Sequence, residues 1–350
     1  MSQTDAASPG PAPAKPKSRG RQIGCGILAV VVLACATCAG INFYQYTVQQ
    51  QNYEAGHAAY LKSDCAAAVP FFDQAINGGG LGGDSNEAAK ASVNEKAECQ
   101  ELQKAIDAQA GGEFGTALAG YAGFLDTYPE TPLLPTVRSQ SEALFKEAEA
   151  IAGQADLALC QQFEALQAQE LVPAKEAALP PLLQSCGQAH EDNNDPTSAI
   201  NLYQLLLTDY PDHPLVEETT AALARASVAE ARAAGAGNIP APQSVGSSGS
   251  GPATVVIQND SPEKLSIVFS GPDARIEELE ACASCTNYTG DGPESCPEQG
   301  PVGTYELPSG DYDVVVKSIS DEGVTPFTGQ WSLATGDEYY SCFFLVTTVQ

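Results

Sequence analysis

ALAGYAGFLDTYPETP (residues 117–132) and AINLYQLLLTDYPDHP (residues 199–214) are two writings of one pattern, A-x3-Y-x2-[FL]-L-x2-Y-P-x2-P. Ala117, Tyr121, Phe124, Leu125, Tyr128, Pro129 and Pro132 in the first are matched by Ala199, Tyr203, Leu206, Leu207, Tyr210, Pro211 and Pro214 in the second. Residues at i, i+4 and i+7 share one face of a helix. A small Ala there lets a neighbouring helix approach, and the Tyr with its Phe or Leu fills the groove between the two. Tyr128 and Tyr210 each precede a proline, which pushes them out of the α region and ends the helix. The pattern therefore predicts helix hairpins. They belong to a helical region, residues 52–234, rich in Ala, Leu, Glu and Gln.

These residues resemble the tetratricopeptide repeat, whose second helix carries a small residue, an aromatic four later, an apolar or small residue three after that, and a proline five further on. Gly187 takes the small position of a preceding helix, with Asn194 and Asp195 at the inter-helix turn. An earlier copy is carried by Gly56, by Ser63 and Asp64 at the turn, and by Ala68, Phe72 and Ala75, with Pro70 intruding and the closing proline missing. The Tyr-Pro-x-x-Pro ending looks most like the periplasmic branch of the family, found in envelope-assembly lipoproteins and cell-division coordinators. The resemblance implies a helical repeat domain that binds protein partners along the first helices of its repeats. The copies are spaced more widely than the family's usual repeat, so extra helices are expected between them, with one pair in residues 155–185.

Towards the N-terminus, Ile23 to Tyr44 reads IGCGILAVVVLACATCAGINFY, with no charged residue. A helix of that length spans a hydrocarbon core of about 30 Å. Lys15, Lys17, Arg19 and Arg21 precede it. The positive-inside rule keeps such a flank in the cytoplasm and exports the chain beyond the helix. Phe43, Tyr44 and Tyr46 stand where an interfacial aromatic belt is expected. The expected order is a disordered basic cytoplasmic tail (1–22), a single-pass transmembrane helix (23–46) and an extracytoplasmic bulk. Two other readings of the segment, a signal peptide cleaved near Ala34-Cys35-Ala36 and a lipidated Cys35, export the same bulk.

Towards the C-terminus, residues 235–252 are rich in Gly, Ser, Pro and Ala and read as a flexible linker. Beyond it the pattern alternates. Thr254–Gln258, Leu265–Ser270, Tyr312–Ser318 and Tyr339–Thr348 are β-branched or aromatic runs bounded by Gly, Pro and Asp. A β-sandwich over residues 253–350 is expected. Tyr312, Val314 and Val316 would face one side, with Asp313 and Lys317 on the other. Leu307 to Val314 (LPSGDYDV) resembles the hairpin edge of small prealbumin-like and surface-layer-type modules, which supports the fold and no activity. Trp331 reads as a core residue. The whole is multidomain α + β: membrane helix, repeat domain, β domain.

Eleven cysteines are present. Cys25, Cys35 and Cys38 fall in the apolar segment. Cys65, Cys99, Cys160 and Cys186 lie in the helical region, and Cys282, Cys285, Cys296 and Cys342 in the β region. Even sets suit disulfides within each part, which persist only in oxidising compartments. Four cysteines allow three connectivities. On the repeat layout, Cys65–Cys99 and Cys160–Cys186 are the expected neighbours.

Motifs of chemistry are sparse. Cys282-x-x-Cys285 lacks the helix start and βαβ context of a redox pair, and the last four cysteines lack the second close pair of a zinc site. Gly78–Gly83 satisfies G-x-G-x-x-G but comes after a helix, so a loop is expected. His57, His190 and His213 form no metal motif. Glu191–Asp195 lacks calcium-loop spacing and reads as a turn. Asn259-Asp260-Ser261 and Asn287-Tyr288-Thr289 match a glycosylation sequon. A net charge of −28 repels nucleic-acid phosphates. The expectation is a membrane-anchored, extracytoplasmic scaffold for protein partners, with no catalytic residue, cofactor, metal or nucleic acid. Two alternatives are a wall- or carbohydrate-binding protein using the β domain, and an envelope thiol–disulfide enzyme using Cys282 and Cys285.

Overall fold

A computed structural model describes residues 20–78, 86–173, 176–289, 293–319 and 324–347. The order is mixed α then β: α1 (Gly20–Tyr60), α2 (Cys65–Asn77), α3 (Glu87–Ala110), α4 (Phe114–Thr127), α5 (Leu134–Phe145), α6 (Ala148–Ala152), α7 (Leu157–Ala168), α8 (Leu179–Asp192), α9 (Pro196–Asp209) and α10 (Val216–Ala233). The strands are β1 (Gly237–Asn238), β2 (Gln243–Ser247), β3 (Ala253–Asn259), β4 (Leu265–Ser270), β5 (Arg275–Leu279), β6 (Tyr288–Thr289), β7 (Val302–Leu307), β8 (Gly310–Ser318), β9 (Phe327–Leu333), β10 (Asp337–Phe343) and β11 (Val346–Thr347). Two compact units are present, one from residues 1–103 with 130–135, the other from 104–129 with 136–350.

In the first unit α1 does not stop at Tyr46. Thr47 to Asn52 contains no Gly or Pro, so nothing breaks the helix, and α1 runs unbroken for 41 residues, about 60 Å. Its window from Val31 onward is apolar and long enough to cross a membrane, and none of that window is buried. Its C-terminal end packs on α2, where Gly56 leaves room for the Phe72 ring.

The same joint is built three times, by α1–α2, α3–α4 and α8–α9. Ser63, Gly112 and Asn194 all take the left-handed conformation, at φ 59°, 74° and 58°. The next residue in each, Asp64, Glu113 and Asp195, donates its backbone N–H to the carbonyl of Ala59, Ala108 and His190, at 3.0, 2.9 and 2.9 Å. This bond satisfies a carbonyl that a helix end would otherwise leave orphaned. Asp64 and Asp195 also cap the next helix, accepting from the N–H of Ala67 and Ser198. The second helices of the joints bury Ala68, Phe72 and Ala75; Ala117, Tyr121 and Phe124; and Ala199, Tyr203 and Leu206, each 0–1 % exposed. Tyr128 and Tyr210 leave the helix at ψ 63° and 53°. Pro129 and Pro211, expected among the packing residues, are exposed. They act by restricting the preceding tyrosine.

Among the described residues, 155–185 hold no added helix pair. They contain α7 and the start of α8, which pack together, and α7 also crosses α4.

The β region has a five-stranded sheet, β1-β9-β8-β4-β5, and a four-stranded sheet, β2-β10-β3-β7, with a two-strand pairing of β6 and β11. Both larger sheets feed one core. Ile267, Phe269, Tyr312, Val314 and Trp331 come from the first, and Val255, Ile257, Tyr305 and Tyr339 from the second. Trp331 is a core residue, and its indole N–H donates to the Pro240 carbonyl at 3.1 Å.

The linker reading of residues 235–252 is corrected. β1 pairs in parallel with β9, and β2 pairs antiparallel with β10, so the segment supplies an edge to each sheet. β2 exposes most of its side chains and is held through its backbone, which is why composition did not reveal it. Nor is there a boundary at residue 234. Ala224, Val228 and Ala231 of α10 pack on Val268 and Val315, which are cross-strand partners on the outer face of the five-stranded sheet. Val315 is thus buried between Val314 and Val316, against the expected alternation. The run expected as one strand, 339–348, breaks after Phe343 and resumes at Val346; residue 348 lies outside the described residues, as do residues 79–83 of the glycine loop and the tail 1–19.

Candidate functional site

All eight cysteines outside α1 are paired: Cys65–Cys99, Cys160–Cys186, Cys282–Cys285 and Cys296–Cys342. The first two are the neighbour pairs. Cys35 and Cys38 carry free, exposed thiols on α1.

The two pairs of the β region converge on one buried carboxylate. Asp260, with no exposed surface, comes directly after β3. Its Oδ2 accepts the backbone N–H of Glu298 at 2.6 Å, and its Oδ1 those of Gln299 and Gly300 at 2.9 and 2.5 Å. A Cβ on Gly300 would overlap the Asn259 carbonyl oxygen, so only glycine lets the loop close on Asp260. A carboxylate oxygen of Asp260 and the sulfurs of Cys282 and Cys285 lie within 4.8 Å of one another, as do those of Asp260, Cys296 and Cys342. Asn259 is buried too, and its amide donates to the carbonyls of Glu263 and Glu280, both at 2.8 Å. The first sequon is therefore a buried polar turn, closed to a glycan.

This arrangement suits a rivet. Three backbone N–H donors satisfy the carboxylate oxygens, and the Cys296–Cys342 disulfide fixes the loop that supplies them. A redox-active pair needs surroundings that favour a thiolate, such as a helix start or a nearby cation. Cys282 and Cys285 sit on a turn beside a carboxylate, which opposes one.

Next to the rivet the ends of the two sheets leave a cleft of about 320 Å³. Ile239, Leu265, Val316, Val324, Phe327, Phe343, Phe344 and Leu345 make it mostly apolar; Ser261, Lys317 and Ser341 add polar groups, and Cys342 closes one wall. The cleft joins residues more than a hundred positions apart. It left no local signal in the sequence beyond the apolar Phe343–Leu345, which read simply as strand.

In the helical region the polar groups serve the joints. Tyr121 donates to Gln109 and Tyr203 to Glu191, both at 2.6 Å, so the repeat extends to their partners. Burial pushes the Tyr121 hydroxyl up to about 12. Burial, and then the Glu191 carboxylate, push that of Tyr203 further up. Buried His190 lies between Glu164 at 2.7 Å and Asp195 at 3.1 Å. Burial raises Asp195, but its bonds to Ser198 and His190 outweigh that and hold it below the ordinary carboxylate value. His57 contacts Glu95 at 2.9 Å, and His213 stays within its own turn, accepting from Leu215. The three histidines remain apart, and Glu191–Asp195 forms the α8–α9 turn.

No known protein family matches the chain, and no curated protein matches it.

Proposed function

We propose that the chain is a single-pass membrane protein, with its N-terminus in the cytoplasm and its bulk outside, acting as a scaffold whose tetratricopeptide-like hairpins bind a partner protein. The β region is read as a sandwich that closes the repeat array through α10. The observation that carries the proposal is α1. Val31, Val32, Leu33, Ile41, Phe43 and Tyr44 are 53–74 % exposed on a helix whose other end packs as the first helix of a repeat. Leaving so much apolar surface in water is costly, at roughly 25 cal/mol per Å², and a bilayer removes the cost. Four disulfides support an oxidising compartment. The threefold joint supports a repeat array, and the burial of Trp331 removes the most obvious platform for stacking a sugar.

The test is orientation. Lys15→Cys and Ser248→Cys, placed in turn in a chain with Cys25, Cys35 and Cys38 changed to Ser, are labelled in whole cells with a maleimide that cannot cross membranes. Labelling of position 248 from outside, and of position 15 only after permeabilisation, is expected. The reverse pattern, or release of the chain by alkaline carbonate, overturns the proposal.

A further inference from the structure

We propose that the Asp260 rivet becomes a zinc site once its two disulfides are reduced, with Asp260, Cys296, Cys342 and one sulfur of the Cys282–Cys285 pair as ligands. This goes beyond the scaffold reading and does not rest on it. Asp260 has no exposed surface. The backbone donors satisfy its oxygens, but among the described residues no Lys, Arg or His pairs with it. A buried carboxylate without a counter-charge is costly, and a bound cation removes that cost.

The geometry names the ion. Tetrahedral zinc takes a carboxylate oxygen at roughly 2.0–2.2 Å and a thiolate sulfur at about 2.3 Å, which sets the two donors about 3.6 Å apart. Oδ2 of Asp260 lies 3.2 Å from Sγ of Cys296 and 3.9 Å from Sγ of Cys342, so two edges of such a tetrahedron are already laid out. The edge between the two sulfurs is closed by their disulfide. Reduction frees it, and rotation about the Cα–Cβ bonds opens it with the Cα atoms left 6.0 Å apart. The fourth corner comes from the Cys282–Cys285 turn, whose sulfurs also lie within 4.8 Å of an Asp260 oxygen and whose C-x2-C spacing suits zinc. Tyr340 donates its hydroxyl to Sγ of Cys296 at 3.0 Å, and the Ser284 hydroxyl lies 3.6 Å from Sγ of Cys282. Outer bonds of this kind orient metal ligands. Sulfur donors select zinc over magnesium or calcium. The carboxylate that opposes a free thiolate here favours a thiolate bound to a cation. In the chemistry, each disulfide takes two electrons and two protons from a dithiol, which leaves as its own disulfide, and Zn2+ then displaces the thiol protons to solvent.

The full chain in lipid nanodiscs is reduced without oxygen by a water-soluble phosphine, which leaves as its oxide, and is titrated with Co2+ and then Zn2+. One Co2+ per chain is expected, with thiolate charge-transfer bands and the strong d–d absorption of a tetrahedral site, both bleached by Zn2+; the unreduced chain shows neither. Alkylation under native conditions, mapped by mass spectrometry, locates the ion. Zn2+ should shield Cys296, Cys342 and one of Cys282 and Cys285, and should leave the reactivity of Cys65, Cys99, Cys160 and Cys186 unchanged. Asp260→Asn should weaken Zn2+ binding more than about 100-fold, beyond the 10–100-fold of an outer residue. Cys296→Ser should abolish the tetrahedral spectrum, and gives the reading if the Asn variant does not fold. Trp331 fluorescence follows the β fold throughout, and any loosening on reduction should be reversed by Zn2+. No shielding by Zn2+, shielding confined to the helical-region cysteines, or Zn2+ binding undiminished in Asp260→Asn or Cys296→Ser overturns the site, as does a reduced β region that Zn2+ fails to restore. Failure here leaves the topology result untouched.

Discussion

Gly187→Ala tests the hairpin joint at its tightest point. A Cβ at Gly187 would lie 2.6 Å from Cζ of Tyr203 and closer still to Cε1, well inside contact. The ring cannot retreat. Tyr203 has no exposed surface, its hydroxyl is held by Glu191 at 2.6 Å, and its own helix is pinned by the Asp195 cap. Overpacking a well-packed core costs about 1–3 kcal/mol, and the lack of any relaxation path puts this site near the upper end. Alanine's better helix propensity returns up to about 1 kcal/mol, leaving a net loss of about 2 kcal/mol. For a unit of this size that is roughly 4–8 °C in thermal midpoint. The assay is unfolding of the nanodisc-held chain, measured by pulse proteolysis in urea. A double variant adding Tyr203→Leu should lose less than the sum of the single losses, because the second change removes the clash made by the first. If Gly187→Ala unfolds within about 0.5 kcal/mol of the parent, a surface-like effect, the close approach of α8 and α9 is wrong.

The same geometry sets other outcomes. Tyr203→Phe should cost more than Tyr121→Phe, about 2 against about 1 kcal/mol, since one loses a bond to a carboxylate and the other a bond to an amide; urea midpoints compare them. Gly123→Ala, at an exposed helical position with nothing within 4 Å of the added Cβ, should stabilise by about 0.5–1 kcal/mol in the same assay. Asp260→Ala should leave the N–H groups of residues 298–300 unpaired and raise their hydrogen exchange before the helices respond. Because Asp195 titrates below its ordinary value when folded, its contribution is full above the unfolded carboxylate pKa and fades as pH falls through the folded one; Asp195→Asn should flatten the acid limb of the stability profile, read from urea midpoints across that range.

The joints were legible in the sequence because each feature is local. A small residue, an aromatic and a Tyr-Pro stop sit within one helix and its ends, and their spacing survives translation. The partners were less so: Gln109 and Glu191 are as regularly placed as Tyr121 and Tyr203, yet a polar residue on a polar surface carries no pattern. Composition misled at residues 235–252. Gly, Ser and Pro report weak local preference, and β2 draws its order from the backbone of β10. Val315 breaks the alternation of its strand because the face it buries is covered by α10, which precedes it by some eighty residues. Asp260 hid inside a sequon, and the cleft, made where the ends of the two sheets meet, left no mark beyond the apolar Phe343–Leu345.

An exported, oxidised bulk is the central claim, and the thiol state reads it directly. Chain taken from native membranes is denatured and alkylated without reductant, then mapped by mass spectrometry. Cys65, Cys99, Cys160, Cys186, Cys282, Cys285, Cys296 and Cys342 should all escape alkylation as the four pairs in the structure, with Cys35 and Cys38 modified. Alkylation of the eight as free thiols would contradict export and return the chain to a reducing compartment.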